Sequence, residues 1–422
     1  MRYAIALKEY FIITDQNNFL KRMTPAIKNA TLFFWGIIIG LSAAAQELEE
    51  AQFDSAILKT QPLIKINKDG GVVRDLNMIA HMRFALNNNF ENGHFTNAQF
   101  KANDLRMEVI GRVTKRLKVR FRDVYTRSAG DATTVDQLRR SIDLAYVEYE
   151  AAPKLVLVAG KMFAEFGGFE IFYNPITMVV YNEWISNGDI FLSAVKANYK
   201  LSPKHRLSLQ VANSSSRSFD FFYGNTPGAV ASKVPMGLTL NWNGNFANNT
   251  FNTKWSYSYF NLIKGKYMNT IIVGNQYKKR SLTLEYDFKY SNEALDRTGI
   301  VNAYIGNDFS NRISNVNYME HWLRGEYFVA PNVSVTAIGM LNSSYWMGNP
   351  DNSTAKTNLL RNTFTYTSSV ECHLNKQHNI KVFLSYVGRY NRFTDYARNR
   401  FGLQNNNTGQ IFLGFMSHLV VF

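Results

Sequence analysis

The chain is short of several things that a 422-residue protein commonly carries. It has one cysteine, Cys372, so no disulfide forms within it and no multi-thiolate metal site exists. Cys372 reads as a small apolar residue. Charged residues are only 19% of the chain, and the acidic ones are the scarcer: 32 Asp and Glu against 47 Lys and Arg, a net charge of +15. The basic residues are scattered rather than gathered into one patch, which argues against nucleic acid as a partner. No apolar run reaches the roughly 18–20 residues that a membrane-crossing helix needs, so a helical membrane bundle is excluded. Helical periodicity is nearly confined to a short QELEEAQFDSAIL stretch from Gln46. No repeat recurs at a fixed period, which removes propellers and solenoids.

Chemical motifs are missing too. There is no H-E-x-x-H, G-x-S-x-G, P-loop or dinucleotide-binding glycine pattern. The histidines (His81, His94, His205, His321, His373, His378 and His418) stand apart from one another in sequence. His321 and His373 read as lumen or interface residues. Glu165 and Glu170 read as pore-lining or salt-bridging carboxylates, not as a sugar-cleaving pair. The expectation is a protein that is not an enzyme and needs neither cofactor nor metal.

Aromatic residues are abundant: 31 Phe, 23 Tyr and 6 Trp, 14% of the chain, under a mean hydropathy of only −0.23. Alternation of period two explains how both hold at once. From Ser281 to Tyr290, Leu282, Leu284, Tyr286, Phe288 and Tyr290 share one face, and Thr283, Glu285, Asp287 and Lys289 the other. Such segments fall at 76–90, 99–113, 116–127, 137–150, 154–164, 189–201, 204–213 and 235–244. They continue at 250–260, 266–277, 280–291, 315–329, 332–345, 360–374, 378–390 and 409–422. Links between them alternate short and long, as in an up-and-down membrane barrel with tight turns at one rim. Segments of 10–15 residues exceed the usual soluble strand and suit a tilted membrane crossing. Trp242, Trp255, Tyr257, Tyr259, Trp322 and Trp346 are expected to form interfacial girdles. The fold class is therefore all-β: a transmembrane antiparallel barrel of about sixteen strands.

The N-terminal stretch ATLFFWGIIIGLSAAA, with Lys21, Arg22 and Lys28 before it and Ala43-Ala44-Ala45 ending it, has the marks of a secretory signal peptide. Residues 1–45 are assigned to it, with Met23 as an alternative start. Residues 46–72 are a periplasmic N-terminal segment and 73–422 the barrel. Export removes five basic and two acidic residues, leaving 42 against 30, a net +12. The last strand, QIFLGFMSHLVVF, carries Phe412, Met416, Val420 and Phe422 on one face. A terminal aromatic such as Phe422 resembles the insertion signal read by the barrel assembly machinery of Gram-negative outer membranes.

Two regions stand out within this frame. Lys118, Arg120 and Arg122 form a ladder about 7 Å apart along one strand, on faces that also hold Arg83, Arg112 and Lys196. Such cations lining a pore favour anions; alternatively, Glu108, Asp143 and Glu148 pair with them across strands. The stretch from Gly160 to Pro175, with Phe166, Phe169, Glu170, Phe172 and Tyr173, is too apolar for an exposed loop and is expected to fold inward and narrow the pore; the alternative is a loop covering a contact between copies of the chain.

Ala145-Tyr146-Val147-Glu148-Tyr149, then Lys154 to Lys161 ending in Gly160-Lys161, then Phe166-Gly167-Gly168, resembles the phosphate-selective porin family. The resemblance covers about residues 143–170. It implies a sixteen-stranded barrel, commonly trimeric, with a Lys- and Arg-lined pore for anions, Lys161 among them. The expected function is passive diffusion of small hydrophilic solutes with anion preference. The expected partners are outer-membrane lipid and lipopolysaccharide, the barrel assembly machinery, small anions and further copies of the chain. The other reading is a barrel for secretion or surface-complex assembly, plugged by residues 46–70 or by its long loops.

Overall fold

Alternation becomes strand wherever it occurs. The computed structural model describes residues 74–127, 134–306, 310–348, 358–375 and 378–422. The expected signal peptide and the 46–72 segment lie outside the described residues. The strands are β1 (Arg74–Glu91), β2 (His94–Arg112), β3 (Leu117–Val124), β4 (Ile142–Ala152), β5 (Leu155–Phe163), β6 (Phe191–Ser202), β7 (His205–Asn213) and β8 (Met236–Phe246). The second half adds β9 (Phe251–Ile263), β10 (Lys266–Lys279), β11 (Leu282–Leu295), β12 (Ser314–Ala330), β13 (Val333–Trp346), β14 (Leu359–Asn375), β15 (Ile380–Phe393) and β16 (Asn406–Val420). Each expected segment corresponds to one strand. Each strand pairs antiparallel with its chain neighbours, and β1 closes the barrel on β16, in register from Ile79 opposite Val420 to Glu91 opposite Thr408.

The links sort by rim. At one end they are the short stretches 113–116, 153–154, 203–204, 247–250, 280–281, 331–332 and 376–379. The other end carries 125–141, 164–190, 214–235, 296–313, 347–358 and 394–405, with tight turns only at 92–93 and 264–265. The turn at Asn92-Gly93 has positive φ at both residues, 48° and 85°, as a two-residue hairpin demands. Short turns mark the periplasmic rim and long links the extracellular one. Among the described residues the long links contain four short α-helices: α1 (Glu183–Asn187), α2 (Phe219–Tyr223), α3 (Ile300–Tyr304) and α4 (Asp395–Phe401). Among the described residues no helix is long and apolar enough to cross a membrane.

Phe121, Val147, Leu157, Val195, Leu209, Leu240, Ile271, Leu284, Leu323, Leu384 and Leu413 are exposed on the outer wall, while the alternate positions are buried and mostly polar. That is the lipid-facing pattern of a membrane barrel, apolar outside and polar inside. Near the periplasmic rim, Trp242 and Trp255 meet edge to face at 5.3 Å, beside Phe246, Phe251 and His205. Trp322 departs from the girdle expected of it. It is fully buried on the lumen side, with its ring 6.3 Å from that of Tyr173, because its position in β12 shares the inward parity of Glu320 and Arg324. Phe412, Met416 and Val420 also face inward and are buried.

The wall is uneven in height. β3, β5 and β7 have 8, 9 and 9 residues, whereas β12 and β14 have 17 each and β2 has 19.

Candidate functional site

The link 164–190 leaves β5 and re-enters the wall at β6, its neck closed by the Ala164 amide donating to the Ile190 carbonyl at 2.8 Å. From there it lies inside the barrel. Its first anchor is a glycine pair. Gly167 and Gly168 have φ of 75° and 74°, which only glycine adopts without strain. A Cβ on Gly168 would stand 2.7 Å from an Asp287 carboxylate oxygen, and one on Gly274 of β10 would stand 2.7 Å from the Gly168 Cα. The backbone thus approaches the wall more closely than any side chain permits. The Gly168 amide donates to the Lys254 carbonyl at 3.0 Å, and the amides of Phe169 and Glu170 both donate to the Asp287 carboxylate at 2.8–2.9 Å.

Further anchors follow along the link, all to inward-facing residues. Lys289 pairs with Glu170 and lies 3.8 Å from Glu320, which in turn accepts the Trp184 amide at 2.8 Å. Tyr173 Oη donates to Glu285 at 2.7 Å and accepts from Arg324 at 2.8 Å. Arg83 Nη1 donates to the carbonyls of Pro175, Ile176 and Met178 at 3.1, 3.2 and 2.6 Å. Glu183 pairs with Arg361 of β14. Apolar contacts complete the seating: Phe166 with Trp184 and Phe260, Phe169 and Met178 with Trp322, Ile338 and Met340, and Val179 and Val180 against Ala85, Phe383, Val387, Phe412 and Met416. The link therefore reaches from the β5–β6 side across to β1 and β12–β16.

Of the residues expected on this link, Phe166, Phe169 and Glu170 are buried in its contacts with the wall, while Phe172 and Tyr173 are half-buried. Lys254 lies over the rings of Phe169 and Phe172 at 5.0 and 4.3 Å.

The expected cations fall along a gradient. Lys118 is 40% exposed and 3.9 Å from Glu150. Arg120 is 20% exposed and pairs with Glu108. Arg122 is 2% exposed and held by Asp143 at 2.9 Å, which also receives Arg106 at 3.0 Å. Exposure falls from the periplasmic rim toward the link. Lys196, 18% exposed, pairs with Glu165 at 2.8 Å. Lys161 is buried against Asp136 of the link 125–141 at 3.2 Å. Burial opposes ionisation of Asp136, but the Thr134 hydroxyl and Lys161 outweigh it and hold its carboxyl below the ordinary aspartate value. Arg112 donates to the Lys115 carbonyl at 3.3 Å, beside the periplasmic turn. Phe422 stands beyond β16, its carbonyl accepting the Met78 amide of β1 at 3.0 Å.

Sequence reading placed Lys289 among the lumen-facing cations but did not single out Asp287, Glu320, Glu285 and Arg324, which hold the link with it. The available signal was the alternation itself, which put Glu285, Asp287 and Lys289 on a single polar face. It also missed a cross-strand pair at the closing seam, His81 Nδ1 to His418 Nδ1 at 2.7 Å, with His81 Nε2 2.6 Å from Glu108.

Comparison with known proteins supplies the context. The family model for phosphate-selective porin O and P matches residues 76–409. Among solved structures, the outer membrane channel DcaP of Acinetobacter baumannii superposes with a TM-score of 0.57 at 15% identity, over 84% of this chain and 100% of that one. The anion-selective porin from Comamonas acidovorans gives 0.55 at 9% identity, over 82% and 99%. Salmonella typhi OmpF, in complex with daunomycin, gives 0.52 at 12%, over 84% and 100%. No curated protein matches the chain.

Proposed function

Because the chain belongs to the family of phosphate-selective porins O and P, we propose that this outer-membrane porin passes small hydrophilic anions by diffusion, with the link 164–190 setting the width of the passage. The observation that carries this reading is the seating of the link within the lumen by Asp287, Lys289, Arg324 and Arg83. A segment tied to the wall at so many points keeps its position under flow. It therefore sieves by size.

Anion preference rests on the cations that keep some exposure. Fully buried pairs such as Arg122–Asp143 and Lys161–Asp136 are close to neutral to a passing ion. Lys118, Arg120 and Lys196 are left to bias the field, since charges lining a pore select the opposite sign. The reading assigns the barrel no catalysis and no cofactor. It includes assembly as a homotrimer, contact with lipid and lipopolysaccharide, and recognition of Phe422 by the barrel assembly machinery.

Planar-bilayer conductance in a salt gradient tests it. The reversal potential should report anions as the favoured carriers, and phosphate titrated against chloride should show whether phosphate occupies the passage. Lys118→Glu with Arg120→Glu should reduce or reverse the preference. A cation-selective wild type, or selectivity untouched by that double change, would sink the assignment. Crosslinking in native membranes reads the number of copies.

A further inference from the structure

The periplasmic rim carries charge unevenly. Over three successive short turns, between β2 and β7, it presents Lys115 and Arg116, then Lys154, then Lys204, all exposed, while Lys200 and Arg206 beside them stand at lumen-facing positions. The acidic residues of this arc are Glu148 and Glu150, the latter shared with Lys118. Of the other turns at this rim, 247–250 (Ala-Asn-Asn-Thr) and 331–332 (Pro-Asn) carry no charge, and the β10–β11 turn carries Lys278, Lys279 and Arg280.

The same arc is apolar immediately above. Leu117 follows Arg116, Leu155 follows Lys154, and Leu201 stands three residues before Lys204. Tyr149, Leu157, Tyr199 and Leu201 are exposed on the outer wall at this level. At about 3.3 Å per residue these cations lie within roughly 10 Å of the lipid-facing band, about one Debye length at 0.1 M salt. That is the depth of lipid phosphate groups, reached before any polymer lying farther into the periplasm. Tyrosines placed beside cations at a membrane boundary are also the usual arrangement for gripping headgroups.

We propose that the rim from the β2–β3 turn to the β6–β7 turn is a docking surface for anionic phospholipid headgroups in the inner leaflet of the outer membrane. The exposed lysines and arginines contact the phosphates, and the tyrosines and leucines above them pack on the acyl chains. The lipids would gather on the side where β3, β5 and β7 are shortest, where the wall has least length with which to span the bilayer.

The test uses the whole protein, reconstituted in vesicles of phosphatidylcholine with or without about a quarter phosphatidylglycerol. The readout is the temperature at which the folded, fast-migrating form is lost. Phosphatidylglycerol should raise that temperature at low salt, and molar salt, with a Debye length of about 3 Å, should cancel the gain. Lys115→Glu, Arg116→Glu, Lys154→Glu and Lys204→Glu together should abolish the gain. Arg398→Glu with Arg400→Glu, at the extracellular end, should keep it. If the fourfold variant fails to fold, Lys154→Gln with Lys204→Gln should lose part of the gain. No gain in the unaltered protein, or an equal gain in the rim variants, overturns the proposal. Loss of co-sedimentation with purified peptidoglycan in the rim variants, with the lipid gain intact, would assign the surface to that polymer and overturn it equally.

Discussion

On the β9–β14 side of the lumen, Asp287, Lys289, Glu320 and Arg324 turn toward the inward link. On the β2–β5 side, Lys118, Arg120 and Arg122 turn toward carboxylates of the wall itself. Both sides arise from the same polar face of alternating strands. They differ in what lies opposite. Where a chain segment with free amides and its own Glu170 is pressed against the wall, charges become fasteners. Where water and a neighbouring strand lie opposite, they pair across the ladder and keep exposure in proportion to their distance from the link. A charged residue facing the lumen is therefore not by itself a selectivity residue.

The sharpest way to break this contrast is Lys289→Ala. It leaves Glu170, Glu320 and Asp287 together in a buried site without their cation, and removing one partner of a buried pair costs about 3–5 kcal/mol. The link should leave its seat, with larger and noisier single-channel currents than the parent. Gly168→Val comes next. Left-handed backbone costs a residue other than glycine about 1–2 kcal/mol before the contact with Asp287 is counted, and conductance should again rise. Asp287→Asn keeps the shape but weakens the acceptor for two amides. About 1–3 kcal/mol is expected, seen as increased protease cleavage within 164–190 while the barrel stays heat-resistant.

On the opposite side, Lys118→Gln should change stability by less than about 1 kcal/mol, as for an exposed pair, while shifting the reversal potential toward cations. The narrowest readout is a pH dependence, at Asp136. Its carboxyl is depressed in the fold, so its pairing with Lys161 contributes fully above the ordinary aspartate value near 3.9 and is lost as pH falls below that. Lys161→Met should remove this acid-sensitive increment from thermal melts in detergent. Should Lys118→Gln unseat the link, or Lys289→Ala leave conductance unchanged, the division between fasteners and field-setting charges fails.

Strands were legible because lipid on one face and water on the other impose a period of two, and that period survives in any one stretch of sequence. The inward course expected of 160–175 rests on a related reason: Phe166, Phe169 and Phe172 have no place in an exposed loop. Partnership across the lumen was not. Asp287 and Phe169 are 118 residues apart, and nothing local to either specifies the other. Trp322 illustrates the same limit. A tryptophan on a strand suits a membrane boundary, and only the parity of β12, set by its pairing with Asp287, turns it inward. Lys161 ended on Asp136 because a link between earlier strands folds back over β5, a path that alternation does not encode.

The seam between β1 and β16 has a consequence for how the molecule matures. His81 of β1 is bonded to His418 of β16, and two residues along β1, Arg83 grips the far tip of the link at Pro175, Ile176 and Met178. Val179 and Val180 lie on a surface that Ala85 of β1 and Phe412 and Met416 of β16 create jointly. That surface does not exist until the first and last strands have met. Seating of the link tip is therefore a late event in biogenesis, coupled to the stitch that closes the cylinder. A chain stalled before closure would carry its gate unfastened.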